Sequence, residues 1–198
     1  TALESFTYTV PTDATAQKDI VVATASVGGA NNATVPLNFK HIMSAVNFTV
    51  GEHIANGVIK SIKINNIKTT GSYNVTTGTW TPNTDGKGSY SVAFSSANTD
   101  GTYEPNDKTN GAIINDDECT FMMMPQVLDA DAEVVVEFIY DNAPNTVKEL
   151  RANIAIDPNN TSQRREWKMS NTTYYSISVD ENYNLTITPK GDVLDAHY

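Results

Sequence analysis

The residues with the most chemical reach in this chain are three histidines, one cysteine and a scatter of turn carboxylates. His41, His53 and His197 lie far apart in sequence, and none stands in a His-x-x-x-His spacing. His41 follows an apolar strand face. A ring hydrogen-bonded at a bend is the favoured role there, ahead of a ligand or a general base. His197 falls near the end of the chain, in Asp195-Ala196-His197-Tyr198. Cys119 opens the run Cys119-Thr120-Phe121-Met122-Met123-Met124, where alternation turns it inward as a small apolar residue. A cysteine nucleophile would need a partnering base, and a lone thiol cannot close an internal disulfide.

Asn98-Thr99-Asp100-Gly101 and Asp129-Ala130-Asp131 offer loop oxygens of the kind that hold calcium. The first lacks the spaced ligands and closing glutamate of a calcium loop, so solvated turn acids are the better reading. No carboxylate pair can be assigned to bracket a glycosidic bond. Gly-x-Ser-x-Gly and phosphate-cradling glycine loops are absent from the sequence. These groups point away from an enzyme, and no cofactor or metal is expected. Tyr73, Trp80, Tyr103, Trp167, Tyr174 and Tyr175 could line a sugar-binding face, with Tyr73, Trp80 and Tyr103 the candidate contacts. Aromatic residues at strand positions are more often core.

The elements that must position these groups are strands. Phe6-Thr7-Tyr8-Thr9-Val10 alternates and stops at Pro11. Asp19 to Ala23 is a short apolar run. Val35, Leu37 and Phe39 share one face, then the phase slips, and Val46, Phe48 and Val50 alternate on even numbers. A slip of this kind predicts a bulge or turn between Lys40 and Ala45. There a long strand would cross from one sheet of a sandwich to the other. Val58, Ile62 and Ile64 form the next face. Tyr73 to Trp80 reads as a tight hairpin around Thr77-Gly78. Tyr90 to Phe94, Phe121 to Met124, Val134 to Tyr140, Leu150 to Ile156, Tyr175 to Val179 and Tyr183 to Ile187 complete the pattern. Asn98 to Gly111 is a polar loop. At most one short helix fits, within Gln163 to Ser170. The expected fold is an all-β sandwich of about ten strands or somewhat fewer, with little or no helix.

Composition agrees. The 198 residues include 18% charged and 39% hydrophobic side chains. The shortfall is filled by Thr, Asn, Ser and Gly, which suit strands and turns. A net charge of −10 repels phosphate backbones and anionic lipid, so neither nucleic acid nor a membrane surface is an expected partner. No apolar run is long enough to span a bilayer. Thr1-Ala2-Leu3-Glu4 reads as a mature or trimmed start, and the missing disulfide framework fits bacterial export.

Several segments taken together resemble the fimbrillin-like family of Bacteroidetes, the subunits and surface relatives of type V pili. Val35-Pro36-Leu37-Asn38-Phe39-Lys40-His41 and the following Ala45-Val46-Asn47-Phe48 resemble its apolar strand, Phe-x-His and second strand. Lys18-Asp19-Ile20-Val21-Val22-Ala23 matches its Asp-apolar-apolar-Ala step. Gly71-Ser72-Tyr73-Asn74 with Thr77-Gly78-Thr79-Trp80 resembles its Gly-x-Tyr hairpin. Met124-Pro125-Gln126 and Trp167 with Tyr174-Tyr175-Ser176-Ile177 follow in the family's order. The matches cover most of residues 15 to 190.

The resemblance implies a transthyretin-like Greek-key sandwich over residues 1–198, with 191–198 a boundary tail. It also implies an exported lipoprotein displayed outside the outer membrane, in a fimbrium or as a surface adhesin. In family pilins a protease removes a leading strand, and a donor strand from the next subunit fills the groove. Phe6, Tyr8 and Val10 would be the displaced strand here. The first arginine is Arg151, so an arginine cut would lie upstream of Thr1 or not occur. Family pilins usually have two domains, which makes this chain resemble the N-terminal one. The expected partners are other pilus subunits or surface proteins, with a surface receptor or glycan beyond them. The alternative is a glycan-binding module of a nutrient-uptake system.

Overall fold

The structure, a computed structural model, describes residues 3–25, 34–94, 114, 120–157 and 160–194. In chain order the strands are β1 (Ser5–Thr9), β2 (Val21–Ala23), β3 (Phe39–His41), β4 (Ser44–Ile54), β5 (Gly57–Lys68) and β6 (Thr70–Asn74). They continue with β7 (Thr79–Pro82), β8 (Lys87–Ala93), β9 (Phe121–Met123), β10 (Gln126–Val127), β11 (Glu133–Tyr140) and β12 (Val147–Asn153). The last are β13 (Ile156–Asp157), β14 (Asn160–Arg164), β15 (Glu166–Trp167), β16 (Asn171–Val179) and β17 (Leu185–Leu194). The helical element among the described residues is a turn of 3₁₀ helix at Ala14–Ala16, capped by the Asp13 carboxylate.

Two four-stranded sheets carry the architecture, in the orders β12-β11-β5-β8 and β17-β16-β4-β9. All their pairs are antiparallel except β16 with β4. The β-branched run Val134-Val135-Val136 explains why β11 takes a central place. Inward residues of both sheets meet in one buried cluster. Phe48 sits at its middle, stacked on Tyr175 at 5.9 Å and edge-on to Phe121 at 6.0 Å. This is the all-β sandwich the sequence predicts, and its eight sheet strands fall in the expected range. Short ribbons and a three-stranded sheet, β1-β6-β7, are packed around it.

The phase slip falls where the alternation breaks. β3 ends at His41, Ile42 and Met43 turn the chain, and β4 starts at Ser44. The crossing differs from expectation. Among the described residues β3 pairs only with β2, in a two-stranded ribbon, so the chain passes from that ribbon into a major sheet. Val35, Leu37 and Phe39 are correspondingly exposed, at 43%, 52% and 63%. In β5 the inward residue is Ile59, not Val58. A register shift against β11 at Glu137/Phe138 skips Lys60, and Ile59, Ile62, Ile64 and Ile67 become buried. The segment read as a possible helix forms β14 and β15 instead. Arg164 pairs with Ile156 and Trp167 with Gln126, and Ser170 closes the turn at φ 60°. β17 runs to Leu194, into the 191–198 segment.

Candidate functional site

β1 alternates small hydroxyl residues outward with aromatic residues inward. Thr7 and Thr9 bond Ser72 and Thr70 across the outer face, at 3.1 and 2.9 Å. Phe6, half-buried on the inner face, lies 5.6 Å from the Tyr73 ring and 6.1 Å from that of Trp80. Tyr8 covers the region of Tyr90. Burial pushes the Tyr8 phenol up, against the lowering effect of a hydrogen bond with the Lys18 backbone. Burial also pushes up the phenol of Tyr90, with neighbouring Tyr8 adding to it, and the Tyr90 hydroxyl is buried without a partner.

β1 is an edge strand. It pairs over five residues with β6 on one side and with no described strand on the other. It therefore belongs to neither major sheet. The residues after it do reach those sheets. Val10 is buried and its amide donates to the Thr69 carbonyl. The Ser91 amide of β8 donates to the Thr12 carbonyl. Gln17, also buried, accepts from the Met122 amide of β9 at 2.7 Å and donates to the Pro11 carbonyl at 2.9 Å. Residues 10–17 thus bridge β8 of one sheet, through a backbone bridge at Asp13 and Ser91, and β9 of the other, through the Gln17 side chain. Beside β1, Leu3, Phe6, Val21, Val22, Ala23 and Val75 help line an open, partly apolar cleft of about 670 Å³.

The sequence candidates for sugar contact do not form an exposed row. Tyr73 is 4% exposed because the hairpin alternation turns it into the layer beneath β1. Trp80 pairs with Tyr73 across the hairpin and donates its indole N–H to the Ile42 carbonyl at 2.7 Å. Its remaining surface lines a cavity of about 370 Å³ with Pro82, Pro125 and Val127. Trp167 and Tyr175 are core, joined by an indole-to-phenol hydrogen bond at 3.1 Å. Tyr103, Cys119, His197 and the 98–111 loop lie outside the described residues.

The remaining polar candidates are committed to the fold. The His41 ring and the Asp19 carboxylate form a hydrogen bond that ties the β2–β3 ribbon to the segment preceding it. His53 faces Glu181 at 3.7 Å on the surface. Asp129 meets Lys68 at 2.9 Å and Lys87 at 3.1 Å, and Asp131 meets Lys87 at 2.7 Å. The hydrogen bond from Lys68 holds the Asp129 carboxyl below its ordinary range. Among the described residues no three His, Cys, Asp or Glu side chains are grouped to hold a metal. No helix among them is long and apolar enough to cross a membrane.

The fimbrillin-like family pattern matches residues 1–191. The chain belongs to the fimbrillin-like family. Its fold is similar to two solved Bacteroides structures. A fimbrial protein from Bacteroides vulgatus aligns at TM-score 0.57 and 12% identity, over 96% of this chain and 67% of that one. A candidate cell adhesion protein from Bacteroides uniformis aligns at TM-score 0.54 and 16% identity, over 94% of this chain and 65% of that one. The chain thus spans about two thirds of the length of each. No curated protein matches it in sequence. The segments that carried the resemblance meet in this fimbrillin-like chain. Asp19 of the Asp-apolar-apolar-Ala step holds His41 of Phe-x-His, and Gln126 of Met-Pro-Gln pairs with Trp167.

Proposed function

We propose that this chain is an exported, cell-surface structural or adhesive subunit that joins its neighbours by strand addition. Family membership supports the surface role. The observation that carries the joining mechanism is the one-sided pairing of β1 over five residues. A strand with one partner leaves a full row of backbone donors and acceptors open when it departs. Phe6 and Tyr8 would vacate side-chain positions that an incoming strand with the same alternation can fill. Val10 belongs to the bridging segment, so its departure would also loosen the join between β8 and β9. Lipoprotein anchoring, a second domain in the full gene product and other fimbrial subunits as partners belong to the same proposal.

The test removes residues 1–12 and offers a synthetic peptide of residues 3–12, or strands from partner subunits. Capture of a strand with restored thermal stability is the expected result. A folded, truncated chain that stays monomeric and captures nothing would overturn it. A second variant needs no truncation. Thr7→Cys with Ser72→Cys, in a Cys119→Ser background, joins facing residues of β1 and β6. Oxidation should block capture by the intact chain and reduction restore it. Capture unaffected by the lock would count against β1 as the exchanged strand.

The alternative, a glycan-binding module, is favoured by one feature, the Trp80 cavity with its proline walls. An enzyme receives no support from the geometry above.

A further inference from the structure

Two of the three arginines in the chain are adjacent, Arg164 and Arg165, and Lys168 follows within the same turn of sequence. The three line one open pocket of about 340 Å³, with Gln163, Thr173 and Gly191. They concentrate positive charge on a chain whose net charge is −10. Four other cations among the described residues have acids. Lys60, Lys68, Lys87 and Arg151 each lie within 3.9 Å of a carboxylate. No acid among the described residues pairs with Arg164, Arg165 or Lys168, although Glu166 also lines the pocket.

The backbone leaves room there. The β16–β17 register shifts between Thr173 and Tyr175, which face Asp192 and Pro189, so Lys190 and Gly191 bulge opposite Tyr174. Gly191 takes φ +97°, and a Cβ there would meet nothing within 4 Å. Bulges of this kind re-aim strands beside binding sites. Arg165 is held with its guanidinium 6.0 Å over the buried Tyr175 ring, while Arg164 and Lys168 are exposed. A fixed guanidinium with two neighbouring cations suits a carboxylate or sulfate, which it can engage through two parallel hydrogen bonds.

A second feature decides what carries that anion. Glu166 and Lys168 also line the Trp80 cavity, with Pro82, Pro125 and Val127. β15 is therefore a shared wall, with a cationic pocket on one side and an aromatic and proline shelf on the other. Cation plus aromatic shelf matches a polyhydroxylated ring bearing an acid, next to a second ring that can lie against Trp80. We propose that this double cleft binds an acidic glycan, with the charged sugar at Arg164, Arg165 and Lys168. The proposal extends the surface-subunit reading by naming a ligand class, and it stands whether or not strands exchange.

The test measures binding of the intact chain to an oligogalacturonate, a sulfated oligosaccharide and a neutral galactose oligomer of equal length. Either acidic oligomer should bind and the neutral one should not, with affinity falling as salt rises. The two acidic arms separate carboxylate from sulfate recognition. Arg164→Gln with Lys168→Gln, both exposed sites, should weaken binding by about tenfold or more without moving the melting temperature. Arg165→Lys keeps the charge and loses the fork, and should also weaken it. Equal binding of acidic and neutral oligomers, or no binding of either acid, would overturn the proposal. So would polyglutamate binding as tightly as the uronate, or self-association that the double variant abolishes, since either would make the pocket a protein contact.

Discussion

The two four-stranded sheets and the three-stranded β1-β6-β7 sheet are written in the same period-two alternation, yet they are held differently. β5 has a partner on each side, β11 and β8, and β16 lies between β17 and β4. Their inward residues, such as Ile62, Ile64 and Ile177, are fully buried. β1 has β6 alone, and Phe6 and Tyr8 are only half-buried. The number of partners and the depth of cover, rather than the residue pattern, set how firmly each strand is held. Residues 10–17 are the hinge between the regions, since they fasten β1 to both major sheets.

Breaking the interior should have the largest effect. Phe48→Ala empties the space between Tyr175 and Phe121 and should cost about 3–5 kcal/mol in urea unfolding. The backbone amides of β4, β5, β11 and β16 should lose protection together. Gly51→Val attacks the parallel β4–β16 seam. Even a Cβ would fall 2.1 Å from Ser178 Oγ and 2.9 Å from the Ile177 carbonyl. A loss of about 1–3 kcal/mol is expected in the same assay.

The next effect should be local. Phe6→Ala removes a half-buried ring from the Tyr73–Trp80 pair and should cost about 1–2 kcal/mol. Hydrogen exchange should quicken at β1 and β6 while β4 and β16 stay unchanged. Loss of protection throughout would mean that the two regions form one cooperative unit.

Much of the interior was legible in the sequence, because alternation identifies which residues share a face. Val46, Phe48 and Val50, the hairpin around Gly78, and the slip before Ser44 all follow from it. Alternation does not say what covers a face. Val35, Leu37 and Phe39 share one yet remain exposed, because a two-stranded ribbon carries Phe39 in place of a sandwich sheet. Tyr73 shows the opposite case, since β1 lies over it and buries it. The Val58-to-Ile59 exchange depends on a bulge at residues 59–61, which include neither glycine nor proline. The site was legible in part. The alternation of Phe6 and Tyr8 marks a strand, and its place as the candidate for displacement came from the resemblance to the family. Arg164-Arg165 was also visible, but its adjacency disappears when charge is summed over the whole chain.

The smallest effect should come from the Lys68–Asp129–Lys87–Asp131 network. The Asp129 carboxyl titrates below its ordinary range when folded, so its contribution is present above the unfolded value. It is lost as pH falls through the lower folded value. Asp129→Asn should lower the melting temperature slightly near neutral pH, and the gap to wild type should close in acid. The site is largely exposed, so added salt should shrink the gap as well.

The separability of β1 is best measured by native-state hydrogen exchange on the intact chain, residue by residue. The amides of Phe6 to Val10 and their β6 partners should open with a free energy well below that of β4, β5, β11 and β16, and without dependence on global unfolding. Exchange of β1 at the same free energy as those central strands would contradict it.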